Sequence, residues 1–254
     1  MGMRPLEESA WLEVDDHYDA ELALKSSLLE TNYDDVVATS PDGDEGSAEL
    51  LEHVTRFLSE YHPERSRATA PDEHPLVQAS RLVQEDLCVL VNDDAWRLRA
   101  ACVCFPSRWL LATKINTTLD EIHGPVPGYG DELARPTNGF FDRLTPERSF
   151  WRLNWTLLDS PTLFQPTAAR VAPSGDLIDW FFRVERQTLR QLPESRSVVF
   201  TIRTYVTSAV TLSERDDQFV PTLLHALETA PSSTQAYKGW TGVAQRLRDA
   251  LGAK

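Results

Sequence analysis

Residues 121–127 read EIHGPVP. A histidine closes a short helical pattern, and Gly124, Pro125 and Pro127 then stop the helix and stiffen the chain beyond it. His123 is therefore held at a fixed point. Two roles suit an imidazole so placed, a capped helix end or a ligand to a metal. The other chemistry-bearing side chains fall on three strand-like runs downstream. Side chains alternate along a strand, so Arg152, Asn154 and Thr156 share one side and Trp151, Leu153, Trp155 and Leu157 the other. By the same rule Arg183, Glu185 and Gln187 oppose Trp180, Phe182 and Val184, while Thr201, Arg203 and Tyr205 oppose Val198, Phe200, Ile202 and Val206. Such polar rows are either the solvated face of a half-buried sheet or the wall of a pocket whose members must pair with one another.

Other familiar chemistries find no residues. There is no G-x-G-x-x-G, no G-x-x-x-x-G-K-[ST] and no G-x-S-x-G. Cys102 and Cys104 form a C-x-C pair with no second pair to complete a metal site, and on one face of a strand they read as small core residues. Among the six histidines, His17, His53, His62 and His74 fall in the acidic N-terminal part, and His225 sits in a helix beside Leu223 and Leu224. None makes a multi-histidine ligand set.

The elements that must position these residues can be read from periodicity. Helices are predicted over 17–30 and 47–61, with a proline-rich loop over 61–75. Strands are predicted at 86–92 and 96–105, joined by a turn at Asn92-Asp93-Asp94, and then at 150–158, 179–189 and 197–207. The segment 109–145 between the two strand groups is mostly helical, and helices follow over 213–230 and 234–251. The expectation is an α+β fold: a PAS-like five-stranded antiparallel sheet, two strands then three, with helices on its faces. Residues 1–75 form a helical extension packed on the core, 76–212 the core, and 213–254 C-terminal helices.

The chain has 254 residues and a formal net charge of −14, which disfavours nucleic acid and anionic membrane surfaces. No apolar run is long enough to span a bilayer, and the acidic start lacks a secretory signal. Three cysteines make a disulfide framework improbable and a reducing cytoplasm the simplest compartment.

Six phrases, in order, resemble the haem-dependent oxidative N-demethylase (dimethylamine monooxygenase) α-subunit-like family: VQEDLCVLV (83–91), AACVCFPSRWLLATKI (100–115), LDEIHGPVPGY (119–129), RLNW (152–155), RVERQTLRQLP (183–193) and FTIRTYV (200–206). The resemblance implies a PAS-like fold holding haem b, and oxygen chemistry on a small amine with dioxygen as co-substrate. A porphyrin supplies four iron ligands, so a single histidine suffices. His123 is then the axial ligand, with Pro125, Val126 and Asn154 beside the cofactor. Arg183 or Arg203 would polarise dioxygen, Glu185 would orient the amine, and Tyr205 would complete the distal set. The chain carries no flavin, iron–sulfur or nicotinamide signature, so the resemblance implies a separate electron-donor protein. The same fold is compatible with a non-catalytic haem sensor or haem-binding protein. One departure is Asn116, where a glycine is expected; it alters the local turn.

Overall fold

The computed structural model describes residues 2–167 and 177–252. Its sheet is built from β1 (Arg4–Leu6), β2 (Val37–Thr39), β3 (Asp86–Asn92), β4 (Trp96–Cys102), β5 (Ser149–Leu158), β6 (Phe181–Gln191) and β7 (Val198–Ser208). All neighbours pair antiparallel, in the order β1-β5-β6-β7-β3-β4-β2. The α+β class and the antiparallel sheet agree with the sequence reading, but the strand number does not: there are seven strands, not five. The two additional strands come from the N-terminal part, β1 onto β5 and β2 onto β4. Each has three residues, too few for alternation to register.

The helices are α1 (Tyr18–Thr31), α2 (Tyr33–Val36), α3 (Asp44–Tyr61), α4 (Pro75–Ser80), α5 (Leu119–His123), α6 (Ala134–Phe141), α7 (Ala209–Arg215), α8 (Phe219–Thr229), α9 (Ser232–Lys238) and α10 (Val243–Gly252). The C-terminal helix expected over 234–251 is two helices. Gly239 and Gly242 between them take φ of 73° and 71°, a left-handed backbone that glycine adopts without steric penalty. Among the described residues no helix is long and apolar enough to cross a membrane.

Both faces of the sheet are covered. On one, Leu87, Val89, Ala100 and Val199 pack against Leu28, Leu50, Phe57 and Leu76 of the N-terminal helices. On the other, Leu90, Leu98, Leu189 and Val198 pack against Leu111, Leu119 and Phe141 of the segment between β4 and β5. A third cluster, with Leu157, Trp180, Leu223, Trp240 and Leu247, ties on the C-terminal helices.

Candidate functional site

The five-residue helix α5 is shorter than a helix that is stable alone, so its ends and packing must hold it. Its start is a capping box: Thr118 Oγ1 accepts from the Glu121 N–H at 3.2 Å, and the Glu121 carboxylate accepts from the Thr118 N–H at 2.7 Å. Leu119 is buried beneath it. At the other end Lys114 Nζ donates to the Ile122 carbonyl at 2.9 Å, and the Val126 N–H donates to the His123 carbonyl at 2.8 Å. In the turn leading to α5, Asn116 takes φ of 63°. This is the left-handed conformation glycine favours and asparagine tolerates, so the substitution noted in the sequence leaves the turn accessible.

His123 Nδ1 lies 2.8 Å from the Leu119 carbonyl, one turn back along α5. A carbonyl only accepts, so Nδ1 carries the proton and donates it, and Nε2 presents its lone pair elsewhere. The Tyr129 ring stacks on the imidazole, 4.8 Å between centroids and 13° from parallel. Burial pushes the imidazole below its ordinary pKa, and the positive charges of Arg152 and Lys114 add to that, against the Leu119 hydrogen bond. The ring is neutral at neutral pH, as a metal ligand requires.

The sheet face beneath this segment carries a hydrogen-bonded ladder. Asn154 pairs across from Glu185 and Arg152 across from Gln187. Arg152 Nε donates to Gln187 Oε1 at 2.8 Å, and Gln187 Nε2 donates to Glu185 Oε2 at 3.1 Å. Asn154 Nδ2 donates to the same oxygen at 3.2 Å, and Arg183 Nε donates to Glu185 Oε1 at 3.2 Å. Arg183 is 1 % exposed and is also bonded to the Leu163 and Phe105 carbonyls and to Thr204 Oγ1. The polar row is thus a paired network, buried at Arg183 and Gln187 and open to solvent at Asn154.

Arg203 and Tyr205 are elsewhere, and the expectation that they share a wall with Arg183 and Glu185 is corrected. Val206 pairs with Arg183 and Thr204 with Glu185, so Arg203 and Tyr205 point to the opposite face. There Arg203, 0 % exposed, bonds Asp15 at 2.6 Å and Glu21 at 2.7 Å, and the Tyr205 hydroxyl donates to Glu13. Both dock the N-terminal part. Parity within each strand was read correctly from the sequence; the register between strands was not legible there. Pro125 is exposed and Val126 half-buried in the turn after His123.

Two residues with no assigned role stand out beside His123. Arg152 uses Nε alone, and among the described residues its terminal nitrogens have no hydrogen-bond partner and no carboxylate within salt-bridge distance. Among the described residues Lys114 has only the Ile122 carbonyl. Strand parity had put Arg152 in the row with Asn154, which was the available signal; nothing in the sequence marked Lys114. Two pockets are also present. One of about 410 Å³ lies between Trp155, Phe182, Tyr205 and the C-terminal helix residues Phe219 and Leu223, and one of about 270 Å³ is lined by Trp96, Asp142 and Gln191. His123 lines neither.

Comparison with known families matches residues 2–248 to the model described as haem-dependent oxidative N-demethylase, alpha subunit-like.

Proposed function

The chain belongs to the haem-dependent oxidative N-demethylase α-subunit-like family, and on that footing we propose that it is a haem b-dependent oxidoreductase acting on a small amine. The observation that carries the reading is the His123 imidazole, its Nδ1 fixed by the Leu119 carbonyl and its Nε2 left as a neutral donor. This donor set fits a porphyrin iron, which asks one imidazole of the protein and leaves the second ring nitrogen to a carbonyl. The five long strands, in the order β5-β6-β7-β3-β4 with the His123 segment across one face, support a PAS-like core.

Haem b, when bound, supplies the redox iron through which dioxygen oxidises the carbon next to the amine nitrogen. In this reading His123 Nε2 would hold the haem iron, and Asn154 would lie on the cofactor side of the sheet. Glu185 is the one carboxylate of the ladder, and it holds the cationic amine by charge and hydrogen bond. Arg183, Asn154 and Gln187 fix both of its oxygens, so it meets the amine preorganised. Arg183 acts chiefly through Glu185, since its own guanidinium is bonded to Phe105, Leu163 and Thr204. Electrons come from a separate donor protein.

The test is spectroscopic first. The purified protein should give a Soret band, and His123→Ala should abolish or reshape it; an unchanged spectrum would place the ligand elsewhere. Small secondary and tertiary amines with a chemical reductant and dioxygen should then give aldehyde. Gas-induced spectral shifts with no product from the amine panel would mark a sensor instead.

A further inference from the structure

We propose that Arg152 and Lys114 form the recognition site for the two carboxylates of the porphyrin, on the His123 side of the sheet. This rests on the haem reading above and deepens it, by assigning residues to the part of the cofactor that iron ligation does not touch.

The chain carries a net charge of −14, and the arginines buried among the described residues have carboxylates on them: Arg183 has Glu185, Arg186 has Glu13, Arg190 has Glu8, and Arg203 has Asp15 and Glu21. The half-buried Arg152 does not. Its Nε–H goes to the neutral amide of Gln187, and its terminal nitrogens find no acceptor among the described residues. Lys114 is half-buried and, among the described residues, has a single backbone carbonyl for three N–H groups. Two half-buried cations without a carboxylate beside them are only partly screened by water, so an anion that completes them gains more than it would at a fully solvated surface.

The placement is specific. Lys114 bonds the carbonyl of Ile122, the residue before His123. Arg152 lies in the field of His123 and of Tyr129, the ring that stacks on His123. Lys114 thus adjoins α5 directly, and Arg152 shares its sheet face with Phe150, which packs in one cluster with Leu119 and Ile122 of α5. A planar guanidinium takes a carboxylate through two parallel N–H bonds, and an ammonium takes a second carboxylate as a point charge. A molecule that offers one metal and two carboxylates on a rigid frame matches this set. Glu185 also lies near Arg152 and partly offsets its charge, but it is already bonded to Arg183, Asn154 and Gln187.

The experiment separates this site from the iron bond. The apoprotein is titrated, following tryptophan quenching, with haem, with iron-free protoporphyrin IX, and with the dimethyl ester of the iron-free porphyrin. Iron-free protoporphyrin should bind, and the ester should bind about tenfold or more weakly, the worth of a charge-assisted hydrogen bond. Arg152→Gln and Lys114→Gln should each weaken the diacid by about tenfold and leave the ester unchanged. Arg152→Lys should recover only part of the loss, because the fork is gone. Equal affinity of the wild-type protein for diacid and diester overturns the proposal without recourse to any variant. Haem binding that depends on His123 while the diacid preference survives both substitutions overturns this assignment and leaves the haem reading intact. No binding of any porphyrin overturns both.

Discussion

Val184 of β6 lies directly across from Tyr205 of β7, and this pairing sends the polar row of β7 to the face opposite Glu185. The sheet therefore has two buried polar systems. One, around Glu185, faces the His123 segment; the other, around Arg203, faces the N-terminal part.

Arg203→Ala should act on stability rather than on the cofactor site. It leaves Asp15 and Glu21 without their common cation in a partly buried contact. Removing one partner of a buried pair costs about 3–5 kcal/mol. Denaturant midpoints should fall accordingly, and the N-terminal part should become the first site of limited proteolysis. The absorption spectrum of the haem-loaded folded protein should keep its shape; a changed axial-ligand spectrum would contradict the two-face arrangement.

Glu185→Gln conserves size and removes the charge. The Michaelis constant for a cationic amine should rise about tenfold, the cost of one charge-assisted contact, with a smaller change in turnover number. An uncharged analogue of the same shape should show no such rise. Equal effects on both would argue that Glu185 is only a strut for Arg183.

Glu85 makes the fold sensitive to pH. It is fully buried, accepts from the Glu13 N–H at 2.9 Å through Oε1, and its Oε2 has no hydrogen-bond partner among the described residues. Burial pushes its pKa up to about 7 from the ordinary 4.5, against the Glu13 hydrogen bond and Arg203. Between those values the unfolded chain has released a proton that the folded chain retains, so stability falls as pH rises through this window. Asp86, pushed by burial to about 6, acts in the same sense over a lower range. Glu85→Gln should leave stability near pH 4.5 almost unchanged and raise it near pH 8 by about 3 kcal/mol. A Tm difference between variant and wild type that does not grow with pH would refute this.

Asn116 offers a backbone test. Its φ of 63° is strained for a residue with an ordinary Cβ. Asn116→Ala should destabilise by about 1–2 kcal/mol, the penalty of the left-handed conformation. Asn116→Gly should cost less, losing only the Arg99 hydrogen bond at 3.0 Å. Thermal denaturation of the two variants decides it, and the same ranking should appear in how firmly the protein holds haem, since this turn leads into α5.

Much of the architecture was legible because hydrophobic period reports burial. β3, β5, β6 and β7 lie within two residues of where alternation put them, and His123 was marked by the helix-stop residues after it. The sequence rule failed where information sits between elements. Tyr205 and Glu185 obey the same alternation within their own strands, yet only the ladder register says they are on opposite faces. The polar rows, which alternation left open between a solvated face and a pocket wall, are buried at Arg183 on one face and at Arg203 on the other, where the N-terminal helices cover the sheet, while Asn154 stays exposed. The three-residue strands β1 and β2 carry too little pattern to be seen, and Lys114 is defined only by the carbonyl it reaches.

Strand β1, Arg4–Leu6, closes one edge of the sheet on Ser149–Trp151, more than 140 residues further along the chain. Until that partner is in place the three residues have nothing to pair with, so closure of the edge is a late, long-range event in folding. Chaperone supply should therefore govern how much protein matures.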